Sequence, residues 1–203
     1  MTTTFILAVP RIVVGLLMAG HGLQKLAGWF GGPGLNGIAS LLDTLQIRQA
    51  SRWAVALGLA ETLGGATMAL GLFQPLGQIA VATVLIVAIV LMHWQNGLWN
   101  TNGGIEFPLV MATVAIVLAA TPVGASLDEA LGISVPAWLI LAFTIGAIAA
   151  ALCAIAMRGP ADEPATQPAS PAQADRGSGV STGTRRVMAM RFAAWRREIR
   201  IGR

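Results

Sequence analysis

Charged side chains are scarce in this sequence. Only 11% of its 203 residues are Asp, Glu, Lys or Arg, whereas a soluble domain carries roughly 25%. Apolar residues make up 55%, and the mean hydropathy is +0.71. This composition argues against a soluble protein and indicates a chain that lies in lipid, of a length that suits one domain.

Cysteine is almost absent as well. Cys153 is the single thiol, so an internal disulfide is excluded and redox chemistry by the chain's own thiols is not expected. The sequence also lacks a glycine-rich phosphate loop, a nucleophile elbow and the ligand spacing of a zinc site, and we expect no metal site. No basic residue precedes the first apolar run, so a cleaved signal peptide is not expected either.

Five apolar segments approach or meet the ~20 residues that a spanning helix needs. They are residues 5–29, 53–73, 75–94, 107–122 and 135–157, of which the fourth is short. Pro10 and Arg11 interrupt the first segment, so we expect its helix to begin near Pro10. The pattern predicts an all-α, polytopic membrane helix bundle.

Three further segments differ from the spans. Residues 34–47 place Leu and Ile at helical spacing and predict an amphipathic helix at the membrane interface. Residues 158–183 are rich in Pro, Ala, Ser and Gly and predict a disordered linker. Residues 184–203 alternate Arg with apolar residues. This tail is expected either to bind anionic lipid headgroups as an amphipathic helix or to be solvated and disordered.

Basic residues collect on one side of the predicted bundle. Successive spans alternate in direction, and of the thirteen Lys and Arg only Arg11 falls away from the side that holds the C-terminal tail. Positive residues stay on the cytoplasmic side, so we predict a multi-pass protein of the inner (plasma) membrane with a cytoplasmic tail.

Because the net charge of +4 resides mostly in that tail, we expect no nucleic-acid partner.

Ionisable residues converge on the same side, within or at the mouths of the spans: His21, Lys25, Glu61, His93 and Glu106. Glu61 lies ~12 Å into the second segment at 1.5 Å per residue. A charge at that depth costs a few kcal/mol, so we expect Glu61 to face the bundle interior and to pair with Lys25 or a histidine. Glu61 could equally be a structural tie between helices, and Lys25 could extend to the headgroups. Two histidines could in principle ligate one haem, but no attachment motif accompanies them.

The connection between the third and fourth segments is HWQNGLWNTNGGIEF, residues 93–107, and it contains no Lys or Arg. Asn and Gly accept left-handed backbone angles, so this stretch can fold back tightly. Its amides can then face inward and satisfy the buried His and Glu side chains. The stretch is therefore predicted to cover a polar pocket at the membrane surface.

These polar stretches resemble the DoxX family of small integral membrane proteins. The resemblance rests on RIVVGLLMAGHGLQKLAGWFGGPG at 11–34, LAETLGGATMALGL at 59–72, HWQNGLWNTNGGIEF at 93–107 and SLD at 126–128. It implies a bacterial or archaeal four-helix membrane domain over residues 5–130, to which the helix at 135–157 is an addition. The polar residues that it implies as family features are His21, Gln24, Lys25, Glu61, His93, Asn96, Asn102 and Glu106.

Two functions follow as hypotheses. The resemblance implies a membrane subunit associated with a quinone-linked redox or oxidative-stress system. Such a subunit would use quinone as its cofactor or substrate, with Glu61, His21 and His93 near the quinone oxygens and a soluble redox partner protein as electron carrier. The alternative is a non-enzymatic membrane scaffold or small-solute carrier that anchors soluble partners. Catalytic residues cannot be assigned from the sequence.

Overall fold

The computed structural model describes residues 2–121 and 124–158, and helices dominate both ranges. They are α1 Thr2–Leu26, α2 Gly34–Thr44, α3 Ala50–Leu70, α4 Leu76–Ala88, α5 Glu106–Ala120, α6 Leu127–Leu131 and α7 Ala137–Ala156. A π-helical segment, Ile89–His93, and a 3-10 turn, Trp94–Asn96, extend α4. Two further 3-10 turns lie at Trp29–Gly31 and Asn100–Asn102. The predicted linker and basic tail fall almost wholly outside the described residues.

Four helices are long and apolar enough to cross a membrane: Phe5–Leu26, Ala50–Leu70, Leu76–Asn96 and Ala137–Ala156. The remaining predicted span, the fourth, is α5, whose 15 residues extend only ~22 Å at 1.5 Å per residue. This arrangement confirms the predicted all-α membrane bundle. The predicted interfacial helix at 34–47 corresponds to α2, which ends at Thr44.

The expectation that the first helix begins near Pro10 is wrong. Helix α1 begins at Thr2 and contains Pro10 in its interior. Proline removes one backbone hydrogen bond, whereas a helix end inside lipid would leave four backbone groups without partners. The continuous helix therefore has the lower cost.

Helices α1 and α3 run antiparallel and approach closely because glycine lies at their interface. A Cβ atom on Gly22 would lie 2.4 Å from the backbone nitrogen of Thr62, and one on Gly65 would lie 2.4 Å from the backbone nitrogen of Ala19. Real Cβ atoms do not approach backbone this closely, so larger residues would push the helices apart. Small residues are the usual means of close helix packing in membranes. Glu61 is held within this contact.

Two apolar clusters hold the helices together. The first joins α1, α3, α4 and α5 through residues that include Met18, Met68, Val81, Met111 and Ala115. The second packs α2 against α3 and the end of α4, through residues that include Ile38, Leu42, Ala54 and Leu91. Helix α2 thus packs against the bundle without the length to cross a membrane, and its place at the membrane interface stays a prediction.

Helix α7 has little buried surface but a fixed C-terminal end. Only 6% of its most apolar window is buried. The indole Nε1 of Trp53 donates to Met157 Sδ at 3.3 Å, and the backbone N–H of Arg48 donates to the Met157 carbonyl at 3.3 Å. Ile47 and Arg158 form an isolated antiparallel bridge. The end of α7 therefore lies on the same side of the bundle as the beginning of α3.

Candidate functional site: a buried polar cluster

A salt bridge links the last turn of α1 to the middle of α3. Lys25 Nζ donates to Glu61 Oε1. The Glu61 side chain is 3% exposed, whereas Lys25 is 21% exposed. A cation in the last turn of a helix also interacts favourably with the helix dipole. Of the three partners considered for Glu61, the structure selects Lys25.

The second carboxylate oxygen of Glu61 is unsatisfied. Oε2 is buried and has no hydrogen-bond partner among the described residues. A buried acceptor without a partner costs about 1–3 kcal/mol, and more when it is charged. A cost of this size needs an explanation, such as a bound water or a ligand that donates a hydrogen bond.

His21 lies one turn before Lys25 on α1 and contacts the start of α5. Its ring centroid is 5.6 Å from that of Phe107, at an interplanar angle of 60°. Gln24, next to Lys25, is partly exposed, and its Nε2 donates to the Phe30 carbonyl at 3.5 Å. The His21 ring nitrogens make no hydrogen bond within the described part of the chain, so they are free to engage a ligand.

The 93–107 stretch does fold back tightly. The backbone N–H groups of Ile105 and Glu106 donate to the carbonyls of Gly97 and Leu98, at 3.0 and 2.8 Å. His93 Nδ1 lies 2.7 Å from the Gly103 carbonyl. The stretch therefore forms a closed loop at the end of α4.

The amides of the loop form hydrogen bonds within the loop itself. Asn96 Nδ2 donates to the Gly103 carbonyl at 3.1 Å, and the backbone N–H of Asn100 donates to Glu106 Oε2 at 2.9 Å. Asn102 is exposed. His93 and Glu106 thus bind backbone groups of the loop, and contact between the loop's amides and the buried Glu61 stays a prediction.

The predicted site residues thus fall into three groups. Lys25 and Glu61 form the buried pair, His21 and Gln24 flank it on α1, and His93, Asn96, Asn102 and Glu106 belong to the loop at the ends of α4 and α5. No hydrogen bond or ring contact joins the loop group to Glu61 within the described residues. A single pocket bordered by all of them stays a prediction.

A second buried polar cluster lies at the opposite end of α1, and the sequence analysis missed it. Arg11 is 1% exposed, and its guanidinium donates to the carbonyls of Gly124 and Ala125, at 3.2 and 2.8 Å. Asp128 accepts the backbone N–H groups of Phe73 and Gln74, at 2.8 and 2.7 Å. The SLD stretch was the available signal, since Asp is a common loop and cap acceptor. This cluster closes the α3–α4 connection.

An apolar groove of about 230 Å³ lies between α3, α4 and α7. Its lining is Trp53, Ala56, Leu57, Ala60, Ala80, Thr83, Val84, Val87, Phe143, Ala147, Ala150, Ala151 and Ala154. We call this feature the alanine groove. The Thr83 hydroxyl donates to the Ile79 carbonyl and the Trp53 indole to Met157, so neither donor is left for a polar ligand.

Comparison with known proteins gives one match. The DoxX family model matches residues 6–94, a range that contains His21, Lys25, Glu61 and His93 but ends within the 93–107 loop. No curated protein and no solved structure matches the chain. Within the described residues, no group of three or more His, Cys, Asp or Glu side chains could hold a metal ion. Residues 6–94 are therefore similar to the DoxX family, and the described helices are those of a multi-pass membrane protein.

Proposed function

We propose that this protein is the membrane subunit of a quinone-linked redox or oxidative-stress system. In this proposal the Lys25–Glu61 pair binds the polar headgroup of a quinone or quinol. The observation that carries the proposal is the unpartnered Oε2 of Glu61, a side chain that is 3% exposed. A buried carboxylate oxygen is an acceptor for a hydroxyl donor, and a quinol headgroup supplies such donors within the membrane.

The flanking residues suit the same ligand. The Lys25 ammonium, already bound to Oε1 of Glu61, can also donate to a quinone carbonyl because it has three protons. His21 lies one helical turn away, and its ring nitrogens can donate or accept a hydrogen bond. The pair and His21 together provide hydrogen-bond donors and acceptors at one end of α1. Quinone itself would supply the electron-accepting chemistry.

Electrons would come from a soluble redox partner protein. The proposal places that partner on the cytoplasmic side of the inner membrane, where the Arg-rich tail at 184–203 would bind anionic headgroups. This assignment is supported by the basic residues Lys25, Arg48 and Arg158, which lie on one side of the bundle at the ends of α1 and α7 and the start of α3. Positive residues of short loops stay cytoplasmic.

The proposal is tested by quinone retention. The full chain is purified in native lipid, and quinone per protein is measured in its organic extract for three forms: wild type, Glu61→Gln, and Asp43→Asn as the control. Asp43 is an exposed carboxylate on α2, so its amide should leave retention unchanged. Glu61→Gln keeps the shape of the side chain and should assemble at wild-type levels but lose most of the quinone.

The alternative, a non-enzymatic scaffold or solute carrier, gives a different result. Wild-type protein would then be free of quinone and would copurify with soluble proteins. Glu61→Gln would behave as wild type, while Glu61→Leu, which cannot bond to Lys25, would misassemble. That combination would identify Glu61 as a structural tie and overturn the redox proposal.

A further inference from the structure

The alanine groove is a long apolar channel between α3, α4 and α7. Its α7 lining runs from Phe143 to Ala154, or ~16 Å at 1.5 Å per residue. One leaflet is about half of the ~30 Å hydrocarbon core. The groove is therefore as long as the extended hydrocarbon chain of one lipid.

Exposed arginines lie at one end of the groove. Trp53 and Ala154 mark this end, and they lie within about one helical turn of Arg52 and Arg158 along the chain. The Ile47–Arg158 bridge places Arg158 beside the segment that also carries Arg48. All three arginines are exposed, and none forms a salt bridge within residues 2–121 and 124–158.

We propose that the alanine groove is a binding site for an anionic phospholipid, with one acyl chain between α3, α4 and α7 and the phosphate at Arg48, Arg52 and Arg158. The positive charge at one end of the groove matches the anionic headgroup of such a lipid. The apolar lining along the rest of the groove matches its acyl chain. Arginine binds phosphate strongly because its planar donors pair with phosphate oxygens. The site is separate from the Lys25–Glu61 pair, so it does not depend on the proposed redox function.

The bound lipid also accounts for the position of α7. This helix has little buried surface of its own, although its C-terminal end is fixed to Trp53 and Arg48. An acyl chain that fills the groove would contact α3, α4 and α7 at once. The lipid would thus fasten the added helix to the DoxX-like domain.

The test is native mass spectrometry of the full chain, released from nanodiscs that contain equal amounts of phosphatidylglycerol and phosphatidylcholine. Wild-type protein is expected to retain one phosphatidylglycerol molecule preferentially. Ala150→Leu fills the groove and should abolish retention. Ala149→Leu is the matched control, because Ala149 is exposed on the same helix and does not line the groove.

The headgroup contact is tested separately with Arg52→Gln and Arg158→Gln. Each should weaken phosphatidylglycerol retention about fivefold, as expected for one arginine near an anionic headgroup. The tail is unchanged in every variant, so any lipid that it binds cancels in the comparison. These surface variants also keep the test valid if Ala150→Leu fails to fold.

Four results would overturn the proposal. The first is equal retention by Ala150→Leu and Ala149→Leu. The second is unchanged retention in both arginine variants, and the third is equal retention of phosphatidylcholine. A neutral isoprenoid lipid found in place of the phospholipid would likewise refute it.

Discussion

Removing the two members of the buried ion pair should have unequal effects on stability. Lys25→Met leaves a carboxylate that is 3% exposed and without a partner, and an uncompensated buried charge costs about 3–5 kcal/mol. Glu61→Gln leaves Lys25, which is 21% exposed and lies in the last turn of α1. Its long side chain can reach the headgroup region, so this change should cost about 1–2 kcal/mol.

The double variant Lys25→Met/Glu61→Gln provides the sharper measurement. It removes both charges, so its cost should fall below the sum of the two single costs by about 2 kcal/mol, within the range for residues in contact. The free energy of unfolding is measured in mixed micelles for all four members of the cycle. Asp43→Asn, at an exposed position, should change it by less than about 0.5 kcal/mol.

An additive cycle would refute a direct interaction between Lys25 and Glu61. If the two single costs sum to the double cost within about 0.5 kcal/mol, the side chains do not interact in the folded protein. A larger cost for Glu61→Gln than for Lys25→Met would also contradict the burial on which the argument depends.

Three further predictions concern other parts of the bundle. Gly22→Ala should destabilise the folded protein by about 3 kcal/mol or prevent its assembly, because the new Cβ would lie 2.4 Å from the backbone of α3. The control is Gly20→Ala, whose Cβ would have nothing within 4 Å. It should leave the free energy of unfolding unchanged or raise it in the same assay. Asp128→Asn should cost about 1–3 kcal/mol through weaker hydrogen bonds to the α3–α4 loop; an unchanged unfolding midpoint would contradict this role. A cysteine at position 178, in place of Ser178 and in a Cys153→Ser background, should resist an impermeant thiol reagent added outside intact cells, and ready labelling would reverse the predicted topology.

The helices were predictable because lipid imposes a simple rule on composition. A span must be long and apolar, and the five runs in the sequence meet or approach that length. Their bounds differ from α1, α3, α4, α5 and α7 by a few residues in most cases. The effect of Pro10 was predicted wrongly because proline was treated as a helix boundary. In lipid, the unpaired backbone groups of an interrupted helix cost more than the one hydrogen bond that proline removes.

The candidate site was predictable only in part. Glu61 and Lys25 stand out in an apolar sequence because a charged side chain is costly to place in lipid. Such a side chain is therefore expected to have a polar or oppositely charged partner. The role of Arg11 could not be foreseen, since its hydrogen bonds reach residues 113 and 114 positions away. The contacts of the 93–107 loop depend on its exact backbone path, which amide composition does not determine.

The measurement that tests the central claim most directly is the affinity of the purified chain for a short-chain benzoquinol, determined by titration in detergent for wild type and Glu61→Gln. The claim is that Oε2 of Glu61, buried and without a protein partner, accepts a hydrogen bond from the ligand. A charge-assisted hydrogen bond is worth about 1.5–3 kcal/mol, so Glu61→Gln should weaken binding about 10- to 150-fold, with Asp43→Asn at the wild-type value. Equal affinities for wild type and Glu61→Gln, or no binding by either, would contradict the account.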